Sequence, residues 1–275
     1  MRIYFTVIGL AGILLMGACS GARQSASHNK ANVKTAAVLA QRADSLFFAA
    51  QRSKMLGDYR TAITQYADYL RLNKNNATVN YELARLFMEE QNAGNALIFA
   101  RRAAALDSQN HWFQVTLADA YAVNEKFDSA AYVFDGLTKR FPDNEDYLYN
   151  KGVLLAKANK PASALAAFNQ LENKVGVVEE LIYQKQKLLL KMSMVDEAAA
   201  EIKKLINHEP QEIRYYYLLA EVYDANDRIS DAAEVYHTIL SKDPDNPRAL
   251  IALASYAKKN NDTKTYWSNL TKAFA

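Results

Sequence analysis

The chain has 275 residues, 33 Lys and Arg against 30 Asp and Glu, a formal charge of +3, four histidines and a single cysteine. So mild a charge gives no case for nucleic acid as a partner, and one cysteine excludes an internal disulfide. Nine glycines and five prolines are few, as expected of a chain that is helical almost throughout.

Residues 1–18 read as a signal peptide. Arg2 supplies the positive start, and Ile3 to Met16 is an uncharged apolar run too short for a comfortable membrane span. The run ends in Leu15-Met16-Gly17-Ala18-Cys19. Small residues before a cysteine resemble the bacterial lipoprotein cleavage box, and the resemblance implies that Cys19 becomes the acylated, palmitate-bearing first residue of the mature protein. Each methylene of such a chain buried in lipid contributes about 0.8 kcal/mol. Ser20 follows the cysteine where an Asp would resemble an inner-membrane signal. The resemblance therefore implies outer-membrane delivery, and the absence of an acidic cluster after Ser20 favours the periplasmic side. Residues 19–34 are polar, carry no apolar period and read as a lipidated flexible tether. Such a tether would average roughly 20 Å and stretch to roughly 50 Å.

Residues 35–275 form one periodic domain. Thr35 to Arg42 is helix-compatible and runs into the first unit. Six full units follow at 43–76, 77–110, 111–144, 145–178, 179–212 and 213–246, with a partial seventh at 247–275. The twentieth position of the full units is Ala62, Ala96, Ala130, Ala164, Ala198 and Ala232. The eighth reads Ala50, Ala84, Ala118, Gly152, Gln186, Ala220 and Ala254; the twenty-fourth reads Tyr66, Ala100, Phe134, Phe168, Ile202 and Tyr236. In Ile213–Asn246, Leu219, Ala220 and Tyr223 share one helical face and Ala232, Tyr236 and Ile239 share another, with Asn226-Asp227 between. Two amphipathic helices per unit, small residues where backbones must approach, and a 34-residue period resemble the tetratricopeptide repeat (TPR). The resemblance implies an all-α, right-handed superhelix of helix pairs whose interior is a strip along a solenoid.

Individual units carry further expectations. Gly57-Asp58-Tyr59 reads as the turn of the first unit, and Pro161 suits the start of a second helix. The fifth unit departs from the others, with Lys185 and Gln186 where Leu and a small residue recur. This predicts locally splayed packing over residues 174–190 or side chains that reach out to water. The last unit ends on Ala273-Phe274-Ala275 without a polar cap, so this end either folds back or meets a partner, a second copy of the chain included.

No catalytic or cofactor signature is present. His28, His111, His208 and His237 have no Cys or Glu at metal-ligand spacing, and no phosphate loop, HExxH or GxSxG occurs. The TPR resemblance implies instead a concave groove lined by the first helices. Its fifth positions are Phe47, Tyr81, Val115, Tyr149, Tyr183, Tyr217 and Ile251. Its ninth positions include Arg85, Asp119, Lys187 and Glu221, and Trp112 stands at a second position. Aromatic anchors edged by charges of both signs suit a partner segment. The carboxylate clamp of cytosolic chaperone-binding TPRs needs other residues at the ninth positions. The layout resembles TPR lipoproteins of outer-membrane barrel assembly, pilus secretin assembly, and gliding and type IX secretion. That implies a non-enzymatic, lipid-anchored scaffold for protein partners of an envelope or secretion complex. A glycan-binding lipoprotein using the same aromatics is the alternative, although no insertion between units builds a sugar site.

Overall fold

The computed structural model describes residues 20–275, with side chains from residue 35 onward; Cys19 and the signal segment 1–18 lie outside the described residues. The described residues fold into seven successive helical hairpins and contain no strand. The first is α1 (Ser20–Met55) with α2 (Tyr59–Leu72), the second α3 (Ala77–Glu89) with α4 (Ala93–Leu106). The third is α5 (His111–Val123) with α6 (Phe127–Arg140), and the fourth α7 (Glu145–Lys157) with α8 (Pro161–Val175). Then come α9 (Glu179–Lys191) with α10 (Val195–His208), α11 (Ile213–Asp224) with α12 (Ile229–Lys242), and α13 (Pro247–Lys259) with α14 (Thr263–Ala273). The partial seventh unit thus completes a hairpin, although no α14 residue is buried.

One device closes every hairpin. The fifteenth residue of each unit is left-handed: Gly57, Gln91, Glu125, Asn159, Ser193, Asp227 and Asn261, at φ between 55° and 77°. The next amide returns to the carbonyl five residues back, as in Asp58 N–H to Ser53 at 2.9 Å and Arg228 N–H to Tyr223 at 2.9 Å. This motif satisfies carbonyls that the helix end leaves unpaired. Asp58, Asn92 and Asp262 then cap second helices, and Asn76, Asn110 and Asn246 cap first helices, each accepting a backbone N–H.

The repeated small residues set the spacing. All six twentieth-position alanines are fully buried, as are Ala50, Ala84, Ala118 and Ala220. At the twenty-fourth position Tyr66, Phe134, Phe168, Ile202 and Tyr236 are buried with them, and only Ala100 is small. Gly152 shows how tight this is: a Cβ there would lie 2.5 Å from Phe168 Cε1. Towards the N-terminal end, α1 places Ser45, Ala49 and Arg52 where α3 buries Val79, Leu83 and Leu86. Polar and small residues on that face cap the stack. At the other end, Trp267 and Phe274 stand exposed.

Two expectations are corrected. The stretch 20–34 is not an irregular tether but the start of α1. Its polar composition argues against burial, not against helix: it holds no proline, and a helix already nucleated in the packed Ala43–Met55 part needs only propagation. The fifth unit is also packed rather than splayed. Leu171, Leu181 and Leu188 are buried together at its front, and Lys185 is only 1% exposed. Its ammonium lies 2.5 Å from Glu172 and 2.8 Å from Glu201, and Lys204 bridges the same two carboxylates at 2.8 and 2.9 Å. A buried cation survives where opposite charges surround it.

Candidate interaction face

First helices of successive hairpins touch one another directly. Lys54 of α1 pairs with Glu82 of α3 at 2.8 Å, Tyr81 of α3 meets Phe113 of α5 with ring centroids 5.2 Å apart, and Arg214 of α11 pairs with Glu179 of α9 at 2.8 Å. The fifth-position side chains therefore fall in one row, each half-buried against its neighbours except Ile251, which is more exposed.

The row divides in two by what its polar atoms do. In the N-terminal half, Phe47 packs edge-on against Tyr66, and Arg85 lies over Tyr81, 5.6 Å from its centroid. Trp112 is 61% exposed and leans on His111, with centroids 4.7 Å apart. Asp119 reaches water but is crowded by protein, and this loss of hydration raises its carboxyl above the usual value. Asp119 and Lys187 have no ion-pair partner among the described residues.

In the C-terminal half the tyrosines are held by the chain itself. Tyr183 donates to Glu179 at 2.6 Å; burial first, then the Glu179 hydrogen bond and charge, push its hydroxyl up to about 12. Glu179 also accepts from Tyr215 at 3.0 Å and from both terminal nitrogens of Arg214. Tyr217 donates to Asn246 at 2.5 Å and lies under Arg248, 4.2 Å from its ring centroid. Arg248 in turn pairs with Glu221. Asp224 accepts from Tyr236 and Tyr256; burial and the Asp224 charge push Tyr236 up to about 12.

Tyr149 lies between the two halves, its ring 5.8 Å from Phe168 and its hydroxyl 3.4 Å from Glu180 Oε1. Two hollows meet beside it at the start of α7. The larger, about 680 Å³, is lined by His111, Arg140, Phe141 and Tyr147 among others; both share Glu145 and Asp146. Thus the structure brings Tyr81, Tyr149, Tyr183 and Tyr217 into one row of first helices, with Arg85, Asp119, Lys187 and Glu221 one turn further along the same helices, and leaves Trp112 at the start of α5, against His111 rather than in the row. Sequence reasoning missed Glu179, Asp146 and Glu180. Their signal was available at the first two positions of the fourth and fifth units, where acids stand in place of Ile213-Arg214 and Pro247-Arg248 of the sixth and seventh.

Among the described residues no group of three or more His, Cys, Asp or Glu is placed to hold a metal ion, and no helix is long and apolar enough to cross a membrane.

Family models described as tetratricopeptide repeat match residues 56–111 and 115–174, and a second such model matches 189–256. A search of the curated proteins finds no match. Among solved structures, a tetratricopeptide repeat protein from Parabacteroides merdae superposes with a TM-score of 0.55 at 15% identity, covering 85% of this chain and 92% of that one. The C-terminal part of a TPR repeat-containing protein from Cytophaga hutchinsonii gives 0.59 at 14% identity, covering 82% and 93%. MamA gives 0.56 at 16% identity, covering 64% and 96%. Identities this low speak for the fold alone.

Proposed function

Because the chain belongs to the tetratricopeptide repeat family, we propose that it is a non-enzymatic scaffold that holds a segment of a partner protein along its row of first helices. The TPR fold is a protein-interaction scaffold in general; in this chain the row of aromatics supports the first-helix face as the contact. One observation carries the reading. Trp112 holds a large indole out to water at the second position of a first helix, in a stack whose first helices carry half-buried Tyr81, Tyr149, Tyr183 and Tyr217 at their fifth positions. A tryptophan this exposed contributes little to folding and much to an interface core.

In this proposal Cys19 carries the acyl chains, and the repeats stand on the periplasmic side of an outer membrane within an envelope assembly or secretion complex. The sequence of residues 15–20 supports that address. Replacing Cys19 with Ala should abolish labelling by a clickable palmitate analogue in cells; undiminished labelling would remove the anchor.

A photo-crosslinking residue placed at Trp112 tests the face, with Tyr132 as its control. Tyr132 lies on second helix α6 and is more exposed than Trp112. Crosslinked partner is expected from position 112 and not from 132. Equal yields from both, or yield from 132 alone, would reject the first-helix face as the binding surface.

A further inference from the structure

The tyrosines of the fifth-position row are served by the chain's own cations, with one exception. Arg85 lies over Tyr81. Arg214 forks onto Glu179, the same carboxylate that Tyr183 uses. Arg248 covers Tyr217 while pairing with Glu221. Arg214 and Arg248 each stand at the second position of their repeat. In the fourth and fifth repeats that position carries Asp146 and Glu180 instead. Tyr149 consequently meets a carboxylate, Glu180, and no cation lies over its ring among the described residues.

The exchange leaves a hollow of about 300 Å³ between repeats four and five. Its apolar wall is Tyr149, Leu171, Val175 and Leu181, and its carboxylates are Glu145, Asp146 and Glu180. No Lys or Arg lines it, and among the described residues none of the three acids is in an ion pair. The acids stand in the first turns of α7 and α9, where helix dipoles favour negative charge. That accounts for acids there, but not for an apolar hollow under them without a counter-ion.

We infer that this hollow receives an arginine side chain from the partner segment, in the manner that Arg248 occupies the equivalent place over Tyr217. The inference rests on the first-helix face being the binding surface. A guanidinium stacks on a phenol ring and forks onto carboxylates, and its methylene stem lies along apolar side chains. A lysine has the charge but neither the plane nor the fork.

A phage-displayed random dodecapeptide library, selected on the full chain and in parallel on Glu180→Gln and Trp112→Ala, tests it. Glu180 and Trp112 are exposed, so both variants should fold, which superimposable thermal melts would verify. Peptides selected on the unaltered chain should carry arginine at one fixed place. Resynthesised peptides should bind Glu180→Gln about tenfold more weakly, as loss of a charge-assisted hydrogen bond implies, and should weaken similarly when their arginine becomes lysine. Selected peptides without a fixed arginine that still weaken on Trp112→Ala would overturn the arginine and leave the face standing. Peptides that bind Trp112→Ala and Tyr149→Ala as well as the unaltered chain, or a library that never enriches, would overturn both.

Discussion

The fifth and sixth repeats solve one packing problem with opposite chemistry. At the seventh position the fifth repeat buries Lys185 and the sixth buries Leu219. The groups facing Lys185 are Glu172, from the preceding second helix, and Glu201, from its own. The groups at the same positions around Leu219 are Ile206 and Val235, and all three belong to one apolar cluster. Three positions have changed together. The backbone path therefore does not demand an apolar side chain at the seventh position; it demands that whatever stands there be matched by two neighbours from other helices. Charge is the costlier match, since ions taken from water must regain that hydration energy from one another.

The largest effect should come from breaking the match on one side. Lys185→Leu leaves Glu172 and Glu201 with only Lys204, which is partly exposed, and should cost about 3–5 kcal/mol in urea unfolding. Leu219→Lys buries an ammonium among Ile206 and Val235 and should cost at least as much. A loss below about 1 kcal/mol for either would mean that the site relaxes to admit water and that matching is not what holds it.

Completing the exchange should recover the loss. The triple variant Glu172→Ile, Lys185→Leu, Glu201→Val gives the fifth repeat the sixth repeat's interior, and should be as stable as the natural chain or about 1–4 kcal/mol more so. The two should also differ in acid. Burial opposes ionisation of Glu172, but hydrogen bonds and charge from Lys185 and Lys204 outweigh it and hold its carboxyl below the usual value. A depressed carboxylate contributes stability above its unfolded pKa, and that contribution is lost as pH falls through the folded value. The natural chain should therefore lose more stability than the triple variant as pH drops below about 4.5. Parallel acid curves would show that the quartet is not linked to folding.

The eighth position gives a smaller contrast. Ala220 is fully buried, so Ala220→Gln should overpack the sixth repeat by about 1–3 kcal/mol. Gln186 at the same place in the fifth is only half-buried, and Gln186→Ala should change stability by no more than about 0.5 kcal/mol. Equal effects would put the two repeats at the same helix spacing.

This contrast marks what the sequence made legible. The period, the hairpins and the alanine spine follow from residue size at fixed intervals, which one strand of text displays. Lys185 was visible as an exception, but its partners lie 13 and 16 residues away at positions unremarkable when read singly; only aligning residues 172–201 on 206–235, across two units, shows Glu for Ile and Glu for Val together. The face was legible as a row of aromatics. Which tyrosines the chain occupies for itself was not, because Arg248 over Tyr217 and Glu180 beside Tyr149 depend on where long side chains turn. The left-handed residues were hidden for a simpler reason: only Gly57 among the seven is a glycine.

That last fact separates the two repeats once more, by the least amount. Ser193 closes the fifth hairpin at φ 61° and Asp227 the sixth at φ 56°. A left-handed residue with a Cβ costs about 1–2 kcal/mol, and short side chains such as Asp and Asn offset part of it by local hydrogen bonding. Glycine removes the clash but loses more freedom on folding, about 0.5–1 kcal/mol. Ser193→Gly should then stabilise by about 0.5–1 kcal/mol, and Asp227→Gly by less, since Asp already tolerates the conformation. The thermal midpoint of each single variant measures this. A larger gain from Asp227→Gly would mean that the turn of the sixth repeat is the more strained, and that its apolar interior, not its turn, carries its stability.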